Sequence, residues 1–139
     1  MPPIVLALIP TVLLLVWMGF FMMGSLPLLV LKHDTPLDSR FIRGLFNVYY
    51  LAVMLTASAA ALGYAWTGKA AFALGMACIA TLAFALRRWL VIPRMDFLRD
   101  RIPASDTAIS RFRRLHIAGM MLNVAELATV AWALTRLGL

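Results

Sequence analysis

Apolar residues fill four long stretches of the chain, and polar connections separate them. The stretches cover residues 4–31, 44–66, 70–92 and 115–137. An α-helix rises 1.5 Å per residue and the hydrocarbon layer of a bilayer is about 30 Å thick, so each stretch is long enough to cross a membrane. The pattern therefore predicts four transmembrane helices.

Helix-breaking and helix-capping residues in the connections predict where the helices end and begin. Pro93 lacks a backbone donor and biases the preceding residue away from the helix, so we expect helix three to end there. Ser105 or Asp106 is a suitable N-cap for helix four, which would begin in water. The predicted helices therefore span approximately residues 4–31, 44–66, 70–92 and 107–137, in one domain. Between Pro93 and Pro103 we expect one or two turns of interfacial helix.

Composition excludes a water-soluble protein. Of the 139 residues, 63% are apolar and 14% are charged, whereas soluble domains are about 45–50% apolar and about 25% charged. Disorder is excluded as well, because it requires low hydrophobicity. A single cysteine rules out a disulfide framework, and no metal site is expected. The fold class predicted is an all-α integral membrane protein with four helices in an antiparallel bundle.

The net charge of +7 reflects topology. Only Lys69 and Arg136 lie at the end of the bundle that carries the 67–69 turn. The other basic residues all lie at the opposite end: Lys32, Arg40, Arg43, Arg87, Arg88, Arg94, Arg99, Arg101, Arg111, Arg113 and Arg114. The positive-inside rule then places residues 32–43 and 93–114 in the cytoplasm and both termini outside. The basic residues at this end would also attract anionic lipid headgroups. The net charge is thereby explained, and nucleic acid is not an expected partner.

Small residues predict where the helices approach closely, because lipid-embedded helices pack through them. Helix three has such residues at four-residue spacing, at positions 73, 77, 81 and 85. Helix two carries Ala52, Thr56 and Ala60, with Gly63 beside them. We expect both stripes to lie in helix–helix contacts.

One polar stripe stands out on helix four. Glu126 is the only carboxylate within the apolar stretches, about 15 Å along the axis from His116. With Gly119 and Asn123, these residues fall within a sector of about 80°, which we expect to face helix two. A buried carboxylate is costly unless it is neutral or hydrogen-bonded, and four residues of helix two could supply the donor: Tyr49, Tyr50, Thr56 and Ser58. A structural role, a proton, ion or ligand role, and contact with a partner's helix all remain open for Glu126.

Two histidines fall at similar depth at the basic end of the bundle. His33 and His116 could in principle be axial ligands of a b-type haem. The favoured interpretation is an interfacial position beside lipid phosphate, or a local hydrogen bond from His33 to Asp34. No motif of a catalytic site or nucleotide site is present, so no catalytic residue is assigned and neither haem nor quinone is predicted.

Two segments carry a family resemblance. One is Arg88-Trp-Leu-Val-Ile-Pro-Arg-Met95, and the other is Arg111-Phe-Arg-Arg-Leu-His-Ile-Ala-Gly-Met-Met-Leu-Asn123. Together they resemble the transmembrane protein 205-like family, a four-helix domain of unknown function, except that position 119 is Gly where the family pattern favours Ser. The resemblance implies four helices and no established reaction. It marks these family-motif residues: Arg88, Trp89, Pro93, Arg94, Phe112, Arg113, His116 and Asn123.

These features favour an accessory or assembly subunit of a larger bacterial membrane complex, of the respiratory or photosynthetic type. The 11 Arg against 2 Lys are typical of a GC-rich bacterial genome, which indicates the inner membrane with both termini periplasmic. Helix one is the expected docking face, through Trp17, Phe20 and Phe21. Other membrane subunits and bound lipid are the expected partners.

Two alternative functions remain. One is a small transporter or stress-resistance protein that uses Glu126. The other is a haem- or quinone-binding redox protein that uses His33 and His116.

The charge asymmetry makes a testable prediction of orientation. In a chain with Cys78 replaced by Ser, a cysteine introduced at Gly68 should react with an impermeant maleimide added outside the cell, and one at Ser105 should not. The opposite labelling pattern would contradict this orientation.

Overall fold

The computed structural model describes residues 2–137 and contains four helices long and apolar enough to cross a membrane. The first two are α1 (Val5–Leu28) and α2 (Pro36–Trp66). The third span consists of α3 (Ala70–Ala85), a π-helical segment (Leu86–Leu90) and α4 (Val91–Arg99). The fourth is α5 (Asp106–Thr135). The predicted all-α, four-helix membrane fold is confirmed.

Helix α2 is the centre of the packing. It lies against α1 on one side and α3 on the other, and its first half also contacts α4. Helix α5 packs against α1 and α4, whereas a groove runs between α5 and α3. The bundle is therefore packed around α2, and a surface groove runs along each side of α3, one against α2 and one against α5.

The backbones of α1 and α2 approach most closely at Gly63. A Cβ built on Gly63 would lie 2.7 Å from the Cα of Ala7, so only glycine fits there. One turn further along α1, a hydrogen bond of 3.2 Å joins the hydroxyls of Thr11 and Tyr64. The small-residue prediction thus holds at Ala60 and Gly63. The predicted stripe on α3 lies along the α2–α3 seam, where Ala73, Ala77 and Thr81 line a cavity together with Ala61 and Ala65 of α2. The most buried face of α3 is formed by Met76, Ala80 and Ala83.

The third span does not end at Pro93, contrary to the sequence prediction. Its helix continues to Arg99, and the five-residue π segment directly precedes Val91. Pro93 is thereby the third residue of α4. The π turn before Pro93 shifts the backbone hydrogen-bond pattern by one residue, which accommodates the proline ring and its missing donor without breaking the helix. The expected interfacial turns after Pro93 are part of this continuous helix.

Helix α2 begins eight residues before the predicted position 44. Thr35 caps it, with its hydroxyl accepting from the backbone N–H of Asp38 at 3.1 Å, and Pro36 occupies the first turn. This capping chemistry overrides the polar character of residues 36–43, which had indicated a loop. Ser105 caps α5 in the same way, accepting from Ala108 at 3.2 Å, as predicted.

An ion-pair network joins α2 to α4 at the basic end. Arg43 donates two hydrogen bonds to the carboxylate of Asp96, both 2.9 Å long. Arg99 reaches the same carboxylate at 3.2 Å. A bidentate guanidinium–carboxylate pair fixes geometry as well as charge, so this network sets the position of α4 against α2.

The turn 67–69 is tight, and Gly68 has a φ of +73°. A side chain there is strained, so the cysteine that tests the predicted outside face is better placed at Thr67.

Gly63 provides a test of the α1–α2 contact. Gly63→Ala should lower the free energy of unfolding by about 1–3 kcal/mol, because the new methyl group overlaps the Ala7 backbone. Gly44→Ala is the matched control in the same helix, since its Cβ would meet no atom within 4 Å. Thermal or SDS-induced unfolding in detergent measures both, and equal effects would contradict the close approach.

Candidate functional site

Asn123 joins three helices in the middle of the bundle. Its carboxamide oxygen Oδ1 accepts a hydrogen bond from the Tyr49 hydroxyl of α2. Its Nδ2 donates to the backbone carbonyl of Met18 in α1 at 3.2 Å. Asn123 is 1% exposed, so neither bond competes with water. The α5 stripe faces α1 and α2 at this point, as the sequence predicted for α2.

Glu126 lies one turn beyond Asn123 and shares its partner. The Tyr49 hydroxyl is 3.4 Å from Glu126 Oε2. The other predicted donors do not reach it: the hydroxyl of Thr56 bonds to the carbonyl of Ala52 at 2.7 Å, and the buried hydroxyl of Tyr50 has no partner among residues 2–137. Within the same residues, Oε1 of Glu126 receives no hydrogen bond. The carboxyl group is therefore anchored on one side and available on the other.

Glu126 also lines the α3–α5 groove. A cavity of about 210 Å³ there is lined by Cys78 and Leu82 of α3 and by Glu126 and Thr129 of α5. It shares Cys78 and Thr129 with a larger cavity of about 480 Å³ that runs along the same two helices to Trp132 and Arg136. The groove thus leads from the end of the bundle opposite the basic end down to a carboxyl group.

His33 and His116 form a buried pair, which corrects the preferred sequence interpretation. Both rings are 0% exposed, and Nε2 of His33 lies 2.9 Å from Nδ1 of His116. His33 follows α1 with a φ of +62°, a conformation that is uncommon for a side-chain-bearing residue. The bond to His116, rather than lipid phosphate or Asp34, holds it there.

One proton lies between the two inner nitrogens, so one imidazole donates this hydrogen bond and the other accepts it. The outer nitrogens, Nδ1 of His33 and Nε2 of His116, have no partner among residues 2–137. Because the inner nitrogens bind each other, and metal–imidazole bonds are about 2.0–2.1 Å long, a haem iron between the rings would require them to move apart.

Arg113 and Phe112 hold α5 against the end of α1. The guanidinium of Arg113 donates to the carbonyl of Leu29 at 3.0 Å, which satisfies a backbone acceptor left free where α1 ends. Phe112 is fully buried and its ring lies 6.3 Å from that of His33. These two motif residues position the histidine pair.

The glycine at position 119 has a packing reason. A Cβ there would lie 2.2 Å from Cε1 of Phe46, whose ring is itself 0% exposed. The Phe46 ring also packs edge-on against His116, with 5.6 Å between centroids. A serine would displace this ring, so the Phe46 ring explains why glycine occupies position 119.

The first motif segment lies apart from the polar stripe. Trp89 is 65% exposed and packs edge-on against Phe84, and Arg88 and Pro93 are exposed as well. Arg94 lines a different cavity between α4 and α5. The predicted site residues therefore divide into an inner set on α5 and an outer set on the third span.

Burial makes the histidine pair sensitive to pH. Burial lowers the pKa of His33 most, and the nearby Arg113 charge lowers it further, against the Leu31 backbone and the carboxylates of Asp38 and Asp34, which raise it. The unfolded chain then binds more protons than the folded chain below the ordinary value of about 6.5. Stability should be full above that pH and fall as the pH decreases through it.

His33→Asn should weaken this pH dependence, because Asn tolerates the φ of +62° but does not titrate. The unfolding temperatures of both proteins, measured in detergent between about pH 8 and pH 5, where histidine titrates, test this prediction. Identical slopes for the two proteins would show that the pair does not sense pH.

Comparison with known proteins returned no match: no family model, no curated protein and no solved structure matches this chain. The resemblance to the transmembrane protein 205-like family stays a prediction. The functional conclusion therefore depends on the geometry above.

Proposed function

We propose that this small membrane protein is an accessory subunit of a larger bacterial membrane complex, and that a transmembrane helix of another subunit occupies the α3–α5 groove. The observation that supports this is the groove itself, an unfilled seam between two spans that ends on a carboxyl oxygen with no donor among the described residues. On helix one, the docking face that the sequence predicts, Phe21 packs inward against Phe46 and Tyr49 and is 1% exposed, whereas Phe20 is 58% exposed. Docking through helix one stays a prediction.

The groove walls suit a helix. Ala125, Thr129 and Ala133 recur every four residues on α5, and Ala71 and Gly75 face them from α3. Small side chains allow the close backbone approach on which helix association in lipid depends. Trp132 and Arg136 lie at the open end of the groove. The guanidinium carbon of Arg136 is 5.4 Å from the centroid of the Trp132 ring.

The carboxyl group gives the seam chemical selectivity. A hydrogen bond to the Glu126 carboxyl group is stronger when both groups are shielded from water, because the local dielectric constant is low. A partner helix with a hydroxyl, amide or basic side chain at the level of Glu126 would satisfy Oε1. Leucine-only helices would leave it unpaired, so the groove favours a helix with one polar group.

A second candidate function uses the same carboxyl group. A lipophilic amine or another small molecule with a donor group could enter through the groove and bind Glu126, as a small transporter would require. The supporting observation is that Glu126 is reached from the membrane side rather than from a closed interior. A redox role for His33 and His116 is not proposed, because their inner nitrogens bind each other.

Photo-crosslinking separates the two candidates. A benzophenone amino acid at Gly75, where an added Cβ would meet no atom within 4 Å, should form a discrete adduct with a transmembrane segment of one other protein in membranes of the source organism. The same probe at Met23, which is 78% exposed on α1, is the control and should give no such adduct.

Glu126 variants complete this experiment. Glu126→Gln preserves hydrogen bonding and should keep the adduct, whereas Glu126→Leu should reduce it about tenfold, the equivalent of one buried hydrogen bond to a polar group. An adduct with lipid or a small molecule alone, or no difference between Gly75 and Met23, would contradict the subunit proposal. Saturable protection by a lipophilic amine, lost in Glu126→Gln, would support the second candidate.

A further inference from the structure

A cavity lined by three arginines opens between α4 and the start of α5, outside the groove described above. It measures about 610 Å³. Arg94, Arg111 and Arg114 provide its polar wall, and Phe97, Leu115 and Ala118 are among its apolar residues. No acidic side chain of residues 2–137 lines it.

The three guanidinium groups carry uncompensated charge. In the described part of the chain, both ion pairs between side chains involve Asp96, which binds Arg43 and Arg99. Arg94, Arg111 and Arg114 thus have no carboxylate partner there. Guanidinium groups bind phosphate oxygens in a planar, bidentate geometry, so a phosphate group matches this wall in charge and shape.

The cavity also has a direction. Arg111 and Arg114 precede Leu115, where the apolar part of α5 begins, and Ala118 lies about 6 Å deeper along the helix axis than Arg114. Arg101 stacks on the Phe97 ring, with 3.6 Å between the guanidinium carbon and the centroid. The cavity therefore runs from the level of lipid headgroups into the hydrocarbon.

We propose that this cavity binds an anionic phospholipid. The headgroup phosphate lies among the guanidinium groups of Arg94, Arg111 and Arg114, and an acyl chain follows Phe97, Leu115 and Ala118 inward. Basic pockets at membrane interfaces recognise acidic lipids in this way. A free phosphate ion would use the polar wall alone and leave the apolar residues without a role.

Lipid binding to the purified full chain in neutral detergent tests this. Native mass spectrometry with phosphatidylglycerol, phosphatidylcholine or inorganic phosphate as the probe should show phosphatidylglycerol binding about tenfold or more tightly than phosphatidylcholine. The triple variant R94Q/R111Q/R114Q should lose this preference. The control variant K32Q/R40Q/R88Q removes the same charge from exposed positions outside the cavity and should keep the preference within about twofold.

A second variant separates a built site from a diffuse positive field. Ala118→Phe fills the apolar end without changing charge and should weaken phosphatidylglycerol binding about tenfold. Equal losses in the two triple variants, or no effect of Ala118→Phe, would overturn the proposal. Displacement of phosphatidylglycerol by inorganic phosphate at equal concentration would overturn the lipid assignment in favour of a free anion. Circular dichroism of each variant verifies that the helices remain.

Discussion

The hydrogen bonds of Asn123 are the interaction on which the rest of the bundle depends. Inside a membrane no water is present to satisfy a stray amide, so both ends of this side chain must find partners in the protein. One end takes the Tyr49 hydroxyl and the other the Met18 carbonyl. Three of the four spans are thereby fixed at one level, and Tyr49 in turn sets the position of Glu126. The anchored carboxyl group, His116 and one wall of the open seam all lie on α5, which this node holds in register with α1 and α2.

The division of labour along α5 follows from the same constraint. Towards its start, Arg113 satisfies the end of α1 and His116 binds His33. Further along, the absence of a side chain at Gly119 leaves space for the Phe46 ring. The inward positions 116, 119 and 123 of this half therefore each have a specific partner on α1, α2 or the loop between them. The second half, beyond Glu126, faces α3 across a groove instead, so the helix changes from an internal element to one wall of an external surface.

The sequence predicted much of this arrangement, and the failures have physical causes. Four spans, the Ser105 cap and the inward direction of Asn123 follow from hydropathy, capping chemistry and helical periodicity, which are local properties. The His33–His116 bond could not be predicted in this way, because it joins a loop residue with an unusual φ to a helix 83 positions away. Phe21 was assigned to an external face since size alone does not distinguish a core aromatic from a docking one. The open α3–α5 seam depends on the relative tilt of two helices, which no single stretch of sequence specifies.

The π segment in the third span has a geometric consequence beyond accommodating proline. An α-helix turns about 100° per residue, so residues 18 positions apart point in the same direction. In an uninterrupted helix Arg94 would share the azimuth of Met76, which is 4% exposed. A π turn contains one extra residue, so every later residue points in the direction that the residue before it would have taken in an uninterrupted helix. Met95, which is 0% exposed, therefore points inward in place of Arg94. The single-residue phase shift thus keeps a guanidinium group out of the core and releases it to the arginine-lined cavity.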